Sequence, residues 1–303
     1  MSDDWLWDRS GPPDAEIERL EQTLAPLRYR HRAPTPAFQP APKRVWVAAA
    51  VMVAAAAALI VVTAIPRPID TPWQIAGAKV HQGEVLRTGA AGIRLEASAV
   101  GQVDIAPNSE LRAVVGRRLS LKHGQLHAYI WAPPGQFVVD TPSARATDLG
   151  CEYTLNVDSA GDGLLKVSMG WVAFSVNGRE SFIPAQAQCR TRKKHGPGLP
   201  YYEDAPSALR DAVEAFDRGD RSALRTILAS ARERDGLTVW HLLTRTSGDD
   251  RGAVYDRLAE LVPMLPGSSR EAVVRGEPDA IDRCWDALGL ENTDWWRRWE
   301  RRW

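Results

Sequence analysis

His123 and His127 stand four residues apart, the spacing at which one face of a helix offers two imidazoles to a metal ion. Gly124 lies between them and the surrounding residues alternate apolar with polar, so both histidines fall in strands and no helical metal face forms. The six histidines are otherwise scattered, and no Cys or His group has metal-ligand spacing. The chain also has no glycine-rich phosphate loop, no nucleophile elbow and no paired-histidine metal motif. Its acids are dispersed, with no spacing that couples a general acid to a general base. The expectation is a binding or regulatory protein with no catalytic residue, no cofactor and no metal.

Two kinds of side chain keep some chemical interest. Cys151 and Cys189 fall in one β region and can pair in an oxidising compartment, a link that would constrain the unfolded chain by about 3 to 4 kcal/mol. Cys284, at an apolar position of an expected helix, reads as a small buried side chain. At the carboxy terminus Trp295, Trp296, Trp299 and Trp303 are interleaved with Arg297, Arg298, Arg301 and Arg302. Trp295, Trp299 and Trp303 share a helical face. They are expected to dock on the helical region with arginine stems stacked on the rings, or to form an aromatic patch for a partner, glycan or membrane surface.

The elements that must carry these residues differ sharply along the chain. Residues 45–65 contain no charge and are preceded by Lys43 and Arg44. A helix of that length spans roughly 30 Å, the thickness of a bilayer core, so a transmembrane helix in the lipid bilayer is expected. Residues 28–44 carry five basic groups and no acid, whereas Arg67 and Lys79 are the basic residues of the first stretch beyond the run. By the positive-inside bias the amino terminus is expected in the cytoplasm and the long remainder outside, in a bacterial inner membrane with a periplasmic body.

The 38 basic and 38 acidic residues balance overall, which argues against direct nucleic-acid binding. Locally they do not balance. Residues 1–27 hold seven acids and two arginines, net −5, and the next 17 residues return +5. Within that acidic arm Ile17, Leu20, Leu24 and Leu27 form a helical stripe, so a helix over about 15–25 is expected. A helix so short is marginal alone. The arm is therefore expected to bind a cytoplasmic partner through Trp5, Trp7, Ile17, Leu20 and Leu24, or to lie as a loose tail on the membrane.

From about residue 80 the period changes to two, with Asn177-Gly178 as a hairpin turn, and from about residue 199 it returns to short amphipathic helices joined by Gly or Pro turns. The expected organisation is a multidomain α and β chain: arm 1–32, Pro-rich basic linker 33–44, membrane helix 45–65, linker 66–79, all-β domain 80–198 and an all-α helical-hairpin bundle 199–303.

The run from Gly101 to Leu111, then Leu119 to Leu126, Phe137 to Pro142, and Gly150-Cys151-Glu152-Tyr153 resembles the extracytoplasmic domain of the FecR family, single-pass regulators of extracytoplasmic-function sigma factors. The resemblance implies a β-solenoid-like or stacked-sheet domain. It further implies a membrane-anchored signal-transduction regulator of anti-sigma type that passes an envelope signal to a cytoplasmic sigma factor. The helical carboxy-terminal stretch departs from the family's usual domain. The competing expectation is an anchored scaffold or binding module for an envelope protein or glycan.

Overall fold

The computed structural model describes residues 15–27 and 70–290. The chain divides into two compact units, Met1–Pro66 and Arg67–Trp303. In the first, helix α1 (Ala15–Leu24) continues into a 3-10 turn, Ala25–Leu27. Glu16 and Glu18 in its first turn suit the positive end of the helix dipole.

The second unit begins with β1 (Asp70–Ile75), β2 (Ala78–His81), β3 (Val85–Arg87), β4 (Ile93–Ala97), β5 (Gly101–Ile105) and β6 (Glu110–Ala113). The long β7 (Arg118–Ile130) follows, then β8 (Val138–Asp140), β9 (Arg145–Asp148), β10 (Glu152–Val157) and β11 (Gly163–Met169). The strands end with β12 (Trp171–Val176), β13 (Arg179–Pro184), β14 (Ala187–Arg192), β15 (Gly196–Pro197) and β16 (Tyr201–Tyr202). Among the described residues six α-helices follow: α2 (Ser207–Asp217), α3 (Ala223–Ser230), α4 (Gly236–Leu243), α5 (Gly248–Leu261), α6 (Arg270–Arg275) and α7 (Pro278–Asp286), with a 3-10 turn, Glu233–Asp235, ahead of α4.

The strands form two sheets that share β7. One runs β2-β1-β4-β5-β7-β10-β11-β14, with β15 and β16 both on β14; the other runs β3-β6-β7-β8-β9-β12-β13. All these pairings are antiparallel except β7 with β8. Residues 118–123 of β7 serve the second sheet and 124–130 the first. The change occurs at Gly124, whose φ is +103° and where a Cβ would stand 2.1 Å from Ser109 Oγ, so only glycine fits the bend. The alternation read in the sequence is the burial pattern of the strands: Val103, Ile105, Leu111, Leu119, Leu121, Leu126 and Ala128 all point into the core. Trp73 of β1 meets Phe137 beside β8 edge-on at 5.5 Å, joining the two layers. Asn177 and Gly178, at φ +48° and +79°, make the β12–β13 hairpin turn as expected.

The expected fold class is overturned on two counts. No helix among the described residues is long and apolar enough to cross a membrane; the 45–65 run lies outside them. The β and helical stretches are also not separate bodies, because one apolar core runs through both. Helix α7 packs on β12 and β13 as well as on α4. Trp285 of α7 packs 5.8 Å from Trp171 and 5.8 Å from Phe182, and Trp240 of α4 lies 4.7 Å from Trp285. Polar groups cross the same boundary: Thr238 Oγ1 donates to Pro200 O at 2.7 Å, and the Phe182 N–H donates to His241 Nε2 at 3.0 Å. Sequence periodicity marks which face of each helix is apolar but does not say what covers it. The body also starts earlier than expected, since β1 lies inside the stretch read as a linker.

Candidate partner-binding site

Helix α1 presents the arm's stripe. No residue of the helix is buried: Leu20 is 58% and Leu24 54% exposed, Leu27 in the following turn is 78% exposed, and Ile17 is half-buried. Thr23 Oγ1 donates to Arg19 O at 2.7 Å and so turns its hydroxyl back onto the helix. Leucines at this spacing form a continuous apolar strip on one side, with Glu16, Glu18 and Glu21 on the others. Such a surface suits insertion into an apolar groove whose rim is basic. Trp5 and Trp7 lie outside the described residues, as do Trp295, Trp299 and Trp303.

The Cys151–Cys189 bridge is not made; all three cysteines are free and buried. Cys189 pairs across the ladder with Leu165, and Leu165 with Leu155, which puts Cys189 two strands, roughly 10 Å, from Leu155. Cys151 stands four residues along from Leu155, roughly another 13 Å, against a Cα separation of about 7 Å that a disulfide tolerates. The Cys151 thiol instead donates to the Asp148 carboxylate. Asp148 also accepts the Gly150 N–H at 2.8 Å. Burial nevertheless pushes its carboxyl up to about 7, and burial together with the neighbouring Asp148 charge raises the Cys151 thiol.

His123 and His127 both lie on β7, and His127 Nε2 is 3.0 Å from Glu152 Oε1. No group of three or more His, Cys, Asp or Glu that could hold a metal occurs among the described residues. Sequence reasoning did not single out His241 in α4. Its Nε2 accepts the Phe182 N–H, so Nδ1 carries the proton and donates to Leu237 O at 2.8 Å. Burial drives its pKa down to about 3.

Sequence reasoning also missed a cleft of about 410 Å³ between the β12–β13 hairpin and the helices, lined by Arg179, His195, Asp217, Arg221 and Arg245. These residues are far apart in sequence, and each reads there as an ordinary surface charge. Asp217 accepts the Leu199 N–H at both oxygens (3.2 and 3.1 Å), and its burial raises its carboxyl to about 6.

No family model matches the chain, and no curated protein matches it. Two crystal structures of a "putative anti-sigma factor" from Parabacteroides distasonis ATCC 8503 align with it at 16% and 15% identity, each with a TM-score of 0.35. Each alignment covers 45% of this chain and 65% of the solved one.

Proposed function

We propose that the chain is a regulator that holds a cytoplasmic sigma factor through helix α1, with the β/α body as the part that answers to a signal. The observation that carries this reading is the exposed stripe of Leu20 and Leu24 on a ten-residue helix, continued by Leu27 in the turn that follows. A helix of that length has little stability of its own, and its apolar strip gains most by burial in a second protein. The FecR-like strand run of the body supports a sigma factor as that protein. No step of the reading needs a catalytic residue.

The test is co-purification of the full chain with the sigma factors of its own cell, beside the double variant Leu20→Asp/Leu24→Asp. Capture by the parent and loss by the variant support the reading. Equal capture by both, or no sigma factor recovered by the parent, rejects it.

One observation favours the scaffold reading. Tyr129 near the end of β7 and Trp131 just past it, 44% and 48% exposed, stand edge to face at 5.8 Å, and exposed Met169 pairs with the same residue, Glu152, as Tyr129 does. Paired exposed rings suit the apolar face of a sugar. Retention of the chain on an immobilised envelope glycan, abolished by Trp131→Ala and unaffected by the leucine variant, would select it.

A further inference from the structure

The cleft between the hairpin tip and the helices has a charge imbalance that the fold does not explain. Its wall carries three guanidinium groups, from Arg179 on β13, Arg221 just ahead of α3, and Arg245 just past α4. Among the described residues none of the three makes an ion pair, in contrast to Arg118, which pairs with Asp140, and Arg190, which pairs with Glu214. The single carboxylate lining the cleft is Asp217, already engaged by the Leu199 N–H.

Each guanidinium is fixed by the protein with donors to spare. Arg179 Nε donates to Pro197 O at 2.7 Å. Arg221 lies over the Phe216 ring, its Cζ 5.0 Å from the centroid, and donates through Nη1 to Arg245 O at 3.2 Å. Arg245 Nη2 donates to Glu180 O and to Ser181 Oγ. Its Nε is buried and finds no acceptor among the described residues. Desolvation lowers the pKa of Arg179, and that of Arg245 to about 9, against the opposing pull of the Asp217 charge on both. A buried donor without an acceptor costs free energy, here as at Arg192 Nε and Arg257 Nε.

We propose that this cleft binds a phosphate group carried on a small organic molecule. Three guanidiniums against one carboxylate leave an excess of about two positive charges. A single carboxylate ligand would leave about one, whereas a phosphate monoester, with roughly 1.5 to 2 negative charges at neutral pH, cancels it. Guanidinium forks match phosphate oxygens in pairs. The volume is within the usual range for small-molecule sites and exceeds what a bare phosphate fills, leaving room for an organic part. Because the hairpin Asn177-Gly178 and the ends of α2 and α4 all line the cleft, a bound phosphate would clamp the β layer to the helices. This inference is independent of the sigma-factor reading, since α1 has no part in it.

The test is thermal unfolding of the full chain titrated with inorganic phosphate, with glycerol phosphate, and with chloride at matched ionic strength. Each variant is judged against its own melting temperature in chloride. The parent is expected to gain several degrees with glycerol phosphate, saturably, and Arg221→Gln to lose most of that gain. Arg245→Lys, which keeps the charge and removes the fork, is expected to weaken binding at least tenfold by calorimetry; Arg221→Gln serves alone if that variant fails to fold. A gain with both phosphate probes assigns recognition to the phosphate group itself, and a gain with the ester alone assigns it to group and organic part together. A shift no larger than that in chloride, or one undiminished in Arg221→Gln, overturns the proposal. The Leu20→Asp/Leu24→Asp variant should bind the probes like the parent, so failure of the sigma-factor reading leaves this result intact.

Discussion

Helices α1 and α2 carry nearly the same apolar pattern and meet opposite fates. Ile17, Leu20 and Leu24 in α1 repeat at three and four residues, as do Leu209, Val213 and Phe216 in α2 at four and three. The second set is buried to the last side chain, while the leucines of the first stand in solvent. Local pattern is enough to make either helix. The use of the stripe is decided by what lies opposite: in α2 it is the body's own core, and in α1 nothing in the described chain buries it.

That contrast is open to direct attack. The largest effect is expected from Phe216→Ala, which should cost about 3 to 5 kcal/mol in denaturant unfolding by leaving a cavity, whereas Leu20→Ala should change stability by no more than about 0.5 kcal/mol. Comparable losses would mean that α1 is packed after all. Next in size is partner binding: Leu24→Asp alone should weaken sigma-factor capture roughly tenfold, equivalent to about 1.4 kcal/mol, while Leu209→Ala, which acts on folding, should leave the affinity of the folded fraction unchanged.

A smaller effect is expected from pH. Unfolded Asp148 is ionised near neutrality, but the native carboxyl takes up a proton as pH falls through about 7. The native state therefore binds more protons, and stability should rise by about 1 kcal/mol between pH 8 and 6.5. Asp217, at about 6, adds to the same trend at its lower end. His241 acts the other way below 6.5, because the unfolded imidazole gains a proton there and the native one, near 3, does not. Asp148→Asn should flatten the pH 8 to 6.5 rise, and helicity of α1 should not follow it. The smallest effect should come from Arg94→Ala. Its partner Asp104 is also exposed, so at moderate salt the melting temperature should stay within experimental error.

Most strands were legible because one face of each is buried and period-two alternation follows directly from that. The Asn177-Gly178 turn was legible because a type I′ hairpin needs two residues tolerant of positive φ. Strand β1 was hidden by Pro72, which has no N–H for a ladder; the β1–β2 register accordingly shifts between Asp70 and Gln74. The single core of the body was hidden because an amphipathic helix does not encode whether its neighbour is a helix or a sheet. The α1 stripe could be read residue by residue, since it lies within three helical turns. The arginine cleft could not, because Arg179, Asp217 and Arg245 are brought together only when α2 and α4 settle against the β12–β13 hairpin. The supposed disulfide failed for a related reason: the cysteines share a sheet, but at rungs and strands too far apart.

The bend at Gly124 has a mechanical corollary. The same backbone is stitched into one layer up to His123 and into the other from Gly124 onward, so sliding the layers past each other would stretch a covalent chain rather than peel hydrogen bonds singly. A tug on either layer is thereby delivered to the other along a single taut thread.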